Sequence, residues 1–114
     1  MSQLKAIAKF RIKPGHLEEF KAIIPEIVAT VEEHDPGTLA YEWFLNEKRM
    51  ECVVWEIYED SESVLAHTGN VGELLGQLTE IADLSIEIYG SPNKELNDVV
   101  KELDVRVYEF VEGL

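Results

Sequence analysis

The residues best equipped for chemistry fall between Thr38 and His67. His67 has an unperturbed pKa of about 6.5, which suits a general base near neutral pH. Glu56 sits between Trp55 and Ile57 in an apolar run, and a carboxylate on a half-buried strand needs a partner. Its position suits orienting His67 or a substrate hydroxyl. Tyr41, Trp43, Trp55 and Tyr58, with Phe44, form a dense aromatic set. Such rings line pockets and stack on planar aromatic ligands. Each residue also has a plainer reading. His67 then makes a local hydrogen bond, Glu56 pairs with a basic strand, and the rings are core or interface packing.

Other chemistries find little support. His16 and His34 flank a helix, and the three histidines lack a ligand spacing such as His-x-x-x-His, so no metal site is expected. Cys52 is the only cysteine. There is no phosphate-binding glycine loop, dinucleotide fingerprint or nucleophilic serine motif, so no cofactor is expected. The 114 residues carry 10 basic and 23 acidic side chains, a net charge of -13. That balance opposes nucleic-acid binding, which needs a basic footprint, and disfavours anionic membranes. No apolar run approaches the ~20 residues of a membrane span, and the first residues lack a signal-peptide pattern. A cytoplasmic protein of one domain, residues 1–114, is the expectation.

The elements that position these residues follow from periodicity. Leu4 to Lys13 alternates: Leu4, Ala6, Ala8, Phe10 and Ile12 face one way, and Lys5, Ile7, Lys9, Arg11 and Lys13 the other. The basic face is expected to pair with cross-strand carboxylates. Pro14-Gly15 ends this strand. A helix follows from about His16 to Glu33, with Leu17, Phe20, Ile24, Ile27, Val28 and Val31 on one stripe. Pro25 predicts a kink or break near Ile23 and Ile24. Asp35-Pro36-Gly37 stops the helix. Strands Thr38–Leu45 and Met50–Tyr58 form an antiparallel hairpin across Asn46-Glu47-Lys48-Arg49. Asp60 or Ser61 caps a helix that carries His67 and ends at Gly69, and Asn70 caps a further helix. Leu84, Ile86 and Ile88 mark a fourth strand. A short helix with Leu96, Val99, Val100 and Leu103 inward precedes a last strand, Val105–Val111.

This order predicts an α+β fold, a ferredoxin-like split βαβ with an antiparallel sheet and an extra C-terminal helix and strand. Right-handed crossovers place both helices on one sheet face. Yet the hairpin carries apolar groups on both faces, so the uncovered face needs a cover. A second copy provides it, in a dimeric α/β barrel.

The pattern resembles the antibiotic biosynthesis monooxygenase superfamily. The matching residues are Lys13-Pro14-Gly15, Pro36-Gly37-Thr38-Leu39-Ala40-Tyr41-Glu42, Glu56-Ile57-Tyr58-Glu59-Asp60-Ser61-Glu62-Ser63 and His67. Tyr89-Gly90-Ser91-Pro92 and Val107-Tyr108 resemble members with an extra terminal strand. The resemblance implies a dimeric α+β barrel and a pocket histidine at position 67. Its members include quinol monooxygenase-like, heme-degrading and isomerase-like proteins. Heme-degrading members use an Asn, a Trp and a heme-ligating His where this chain has Ala8, His67 and Gln77, so no heme ligand is left.

The leading expectation is a cofactor-independent monooxygenase acting on a quinol-like or polycyclic phenolic small molecule, with His67 taking the phenolic proton. An isomerase or cyclase using the same histidine, and a non-catalytic ligand-binding dimer, are the alternatives.

Overall fold

Alternation buries Leu4, Ala6, Ala8, Phe10 and Ile12 of β1 (Leu4–Ile12) on one face, and this strand becomes the centre of the sheet. The structure, a computed structural model, describes residues 3–114. The elements that follow are α1 (Leu17–His34), β2 (Thr38–Asn46), β3 (Glu51–Tyr58), α2 (Ser61–Ile81), β4 (Ala82–Tyr89), α3 (Lys94–Val100) and β5 (Val105–Tyr108). The strand order is β2-β3-β1-β4-β5. The first four strands pair antiparallel, as a ferredoxin-like fold requires. β5 instead runs parallel to β4, so the sheet is not wholly antiparallel. A parallel neighbour needs a crossover, and α3 supplies it. β5 also stops at Tyr108 rather than Val111.

Both long helices lie on the face that β1 buries. Phe20, Ile27 and Val31 of α1 and Val71, Leu78 and Ile81 of α2 join Phe10, Cys52 and Val54 in one core. No helix among the described residues is long and apolar enough to cross a membrane. Gly15 has φ 84°, a left-handed turn that glycine adopts at no steric cost, and the chain enters α1 from there.

Two expectations about the helices are corrected. α1 continues through Pro25 without a break. Proline removes one helical hydrogen bond, but Pro25 is exposed, and Phe20, Ile23, Ile27 and Val31 hold the turns on either side in the core. The two helices expected on either side of Gly69 are one, Ser61–Ile81. A mid-helix glycine costs only about 1 kcal/mol, less than the burial of His67, Val71 and Leu78 contributes across it. Asp60 caps α2 as expected, its Oδ1 accepting from the Ser63 N–H at 2.8 Å. In the last segment Leu96 is buried, but Val99 and Leu103 are exposed.

The second sheet face carries the basic residues of β1. Lys9 pairs with Glu87 at 3.6 Å and Arg11 with Glu51 at 3.9 Å, as expected of cross-strand partners. Phe44 and Trp55 share this face and remain about half exposed, at 54% and 55%.

Gly37 is fixed by close approach. A Cβ there would overlap the Ser63 side chain and lie 2.7 Å from the Ser63 Cβ. Gly37→Ala must therefore separate β2 from the start of α2. The expected loss is about 1–3 kcal/mol in urea unfolding, the range for overpacking. An unchanged midpoint would show that Ser63 moves aside freely.

Candidate active site

The chain leaves α1 through Asp35-Pro36-Gly37, and Pro36 cannot extend the helix. Asp35 stands at the C-cap, its backbone N–H donating to Val31 O. Its side chain is only 2% exposed. A buried carboxylate must be hydrogen-bonded. Here His67 Nδ1 donates to Asp35 Oδ2 at 2.6 Å, the Asn70 amide donates to Oδ1, and the Thr38 hydroxyl donates to Oδ2 at 3.3 Å. His67 and Asn70 are three apart on continuous α2, so they share a face.

The carboxylate settles the histidine tautomer. With the proton on Nδ1, the Nε2 lone pair is free, and no described residue donates to it. Burial pulls the His67 pKa below its usual value, and Asp35 acts in the opposite direction. The imidazole is therefore neutral near pH 7. The Tyr41 ring lies 5.1 Å from it edge-on, and the Tyr58 ring lies 5.3 Å from it, tilted.

A second ionisable pair stands on β3. The Tyr58 hydroxyl donates to Glu56 Oε1, since residues two apart on a strand share a face. Burial pushes the Glu56 pKa up to about 7, against the effect of the Tyr58 hydrogen bond. Burial, then the Glu56 charge, also raises the Tyr58 and Tyr41 hydroxyls above their ordinary values. Glu56 thus holds a proton far more readily than a surface carboxylate does.

These residues line a cavity of about 750 Å³ between the sheet and the helices. The structure brings together His67, Glu56, Tyr41, Trp43 and Tyr58. Trp43 stacks on Phe10, and its indole N–H is buried without a hydrogen-bond partner. Trp55 is not part of the group. It falls between Val54 and Glu56, so period two turns it to the opposite sheet face, beside Glu42 and Ile7. Nor does Glu56 orient His67 or pair with the basic strand. Its register partner is Ala6, on the buried face of β1.

The residue that does orient His67 is Asp35, which the sequence marks only as a helix stop. One signal points to it. A carboxylate at a helix C-terminus faces the negative end of the dipole, so it needs another source of stabilisation. Among the described residues, no group of three or more His, Cys, Asp or Glu is placed to hold a metal ion. Chemically, the arrangement offers a neutral, oriented base and a separate proton-holding pair in one largely apolar cavity.

Comparison with known proteins gives a consistent family. The family described as antibiotic biosynthesis monooxygenase matches residues 4–72. The crystal structure of MupZ from Pseudomonas fluorescens is similar at 25% identity and a TM-score of 0.83, covering 100% of this chain and 94% of MupZ. A conserved protein from Methanosarcina mazei Go1 shares the fold at 22% identity and a TM-score of 0.70, covering 78% of this chain and 92% of its own. So does Rv0793 from Mycobacterium tuberculosis, at 16% identity and a TM-score of 0.71, covering 82% of this chain and 98% of its own. No curated protein sequence matches.

The raised Glu56 pKa makes stability depend on pH. Between the unfolded pKa of 4.5 and the folded value of about 7, the native state binds more protons than the unfolded state. Stability from this group is present below pH 4.5 and is lost as pH rises through 7. Glu56→Gln cannot ionise. Relative to wild type it should therefore gain about 3 kcal/mol in urea-derived stability between pH 4.5 and 8. A difference that stays constant over that window would show Glu56 to be ordinary.

Proposed function

The chain belongs to the antibiotic biosynthesis monooxygenase family, and from that premise we propose that it is a cofactor-independent monooxygenase acting on a quinol-like or polycyclic phenolic small molecule. The observation that carries this reading is the buried contact between His67 Nδ1 and Asp35 Oδ2, which frees Nε2 in the wall of the cavity. Nε2 takes a proton from the phenol or from the acidic carbon of its keto tautomer. Asp35 stabilises the imidazolium that forms. The resulting anion is electron-rich enough to give one electron to O2, and the radical pair couples to a peroxide on the ring carbon. Loss of water then leaves a carbonyl. One oxygen atom enters the product, the other leaves as water with the two protons lost by the carbon, and the substrate supplies all four electrons. Tyr58, backed by Glu56, is positioned to protonate the departing oxygen. Tyr41 and Trp43 shape the cavity and exclude water, which strengthens each of these electrostatic effects.

The same geometry favours one other reading. A base at His67 and a separate acid at Tyr58–Glu56 can move a proton between two sites of one substrate without oxygen, as an isomerase or cyclase does.

Oxygen uptake separates them. A panel of hydroquinones and anthrones is offered to wild type, His67→Ala and Asp35→Asn. Metal- and flavin-free uptake should fall by about 10²–10⁴-fold in His67→Ala and by less in Asp35→Asn, which keeps the imidazole. Uptake unchanged by His67→Ala would remove that residue from the mechanism. Conversion that proceeds anaerobically would favour the isomerase or cyclase.

We also propose a cytoplasmic homodimer joined through the second sheet face, a dimeric α/β barrel. Phe44 and Trp55 are supporting observations, since large apolar side chains clustered on one exposed face mark an interface. Wild type should sediment as a dimer and Trp55→Glu as a folded monomer. A monomeric wild type would overturn this assembly.

A further inference from the structure

The cavity does not end at the acid–base groups. It continues along α2, whose cavity face carries Thr68, Gly72, Leu75, Gly76 and Thr79. From His67 to Thr79 the helix rises about 18 Å, at 1.5 Å per residue. Across the cleft stand Ile86 of β4 and Val100 of α3. β4 and α3 lie beyond the residues that the family matches. Polarity is uneven along this length. The ionisable groups Glu56, Tyr58 and His67 gather at one end, and the stretch beyond them is lined by apolar Val71, Leu75 and Ile86. Gly72 and Gly76 keep the middle open, for a Cβ on either meets nothing within 4 Å. A single hydroquinone would occupy only the His67 end.

We propose that the cleft binds a substrate whose reactive ring carries a long apolar chain, laid along the Gly72–Gly76 face of α2. This rests on the reading of the His67 end as the reacting end. The apolar middle gains free energy from each methylene it takes out of water.

The probes are 2-alkylhydroquinones from methyl to decyl and plain n-alkanols of the same lengths, titrated by calorimetry. Wild type should bind each longer hydroquinone about fourfold more tightly per methylene, which is 0.8 kcal/mol, until the cleft is full. Gly72→Leu and Gly76→Leu place a side chain in the open cleft, and leucine favours helix over glycine, so both should fold. Their thermal midpoints check this. Each should bind methylhydroquinone as wild type does and weaken on the decyl compound by about sixtyfold or more, the effect of three or more lost methylenes.

The alkanols read the cleft without the ring. A graded alkanol series blocked by Gly76→Leu supports the cleft even where no hydroquinone is oxidised, which would count against the oxygen reading alone. A flat series in wild type overturns the proposal. So does a Gly76→Leu variant that binds every length normally but dissociates the dimer, since the occupant would then be the partner copy.

Discussion

A charged side chain buried to 2% exposure is tolerated only when its oxygens are fully answered, and Asp35 is such a side chain. Its three donors come from the start of β2 and two turns of α2. The contact therefore joins the end of α1, the first residue of the hairpin and the middle of the second helix. It also makes the continuity of α2 a requirement. Had the helix broken at Gly69, His67 and Asn70 would not share a face, and the carboxylate would lack two donors. The hydrogen bonds that satisfy the Asp35 oxygens include the one that aims His67 into the cavity.

Burial acts on the two reactive groups in opposite directions. It lowers the histidine pKa and raises that of the carboxyl, because in each case the charged form is the one it penalises. Both groups can then stand neutral in the same pH range, within one apolar cavity, with the proton missing from His67 Nε2 and retained near Glu56. A base without charge and an acid without charge can coexist there at little electrostatic cost. This is an arrangement suited to proton transfer in a site that excludes water.

Much of this was legible from residue pattern. The alternation of β1, the hairpin, the cap at Asp60 and the aromatic wall all rest on local rules, and the structure follows them. Period two also assigns Trp55 to the face opposite Glu56, although its size and aromaticity suggest a place in the site. What local rules miss is long-range. Asp35 and His67 are 32 residues apart, and nothing in Asp35-Pro36-Gly37 reveals the partner that turns a helix stop into half of a dyad. Pro25 and Gly69 are breakers by propensity, and each is overridden because the turns on both sides are anchored in a shared core. The parallel direction of β5 depends on how α3 packs, which no four-residue strand encodes.

The cavity itself comes from restraint on one strand. β1 fills its buried face with Leu4, Phe10 and Ile12 at the ends, but with Ala6 and Ala8 in the middle. These two alanines pair with Glu56 and Val54 on one side and with Ile88 and Ile86 on the other. Larger side chains there would project into the space the cavity occupies and add buried apolar area, each contributing of order 1–2 kcal/mol. On the helix opposite, Gly72 and Gly76 forgo a similar gain in helix propensity. The chain thus leaves stability unrealised at four positions, two on the floor and two on the wall. All four border the same space, as expected where a fold trades packing for room to bind.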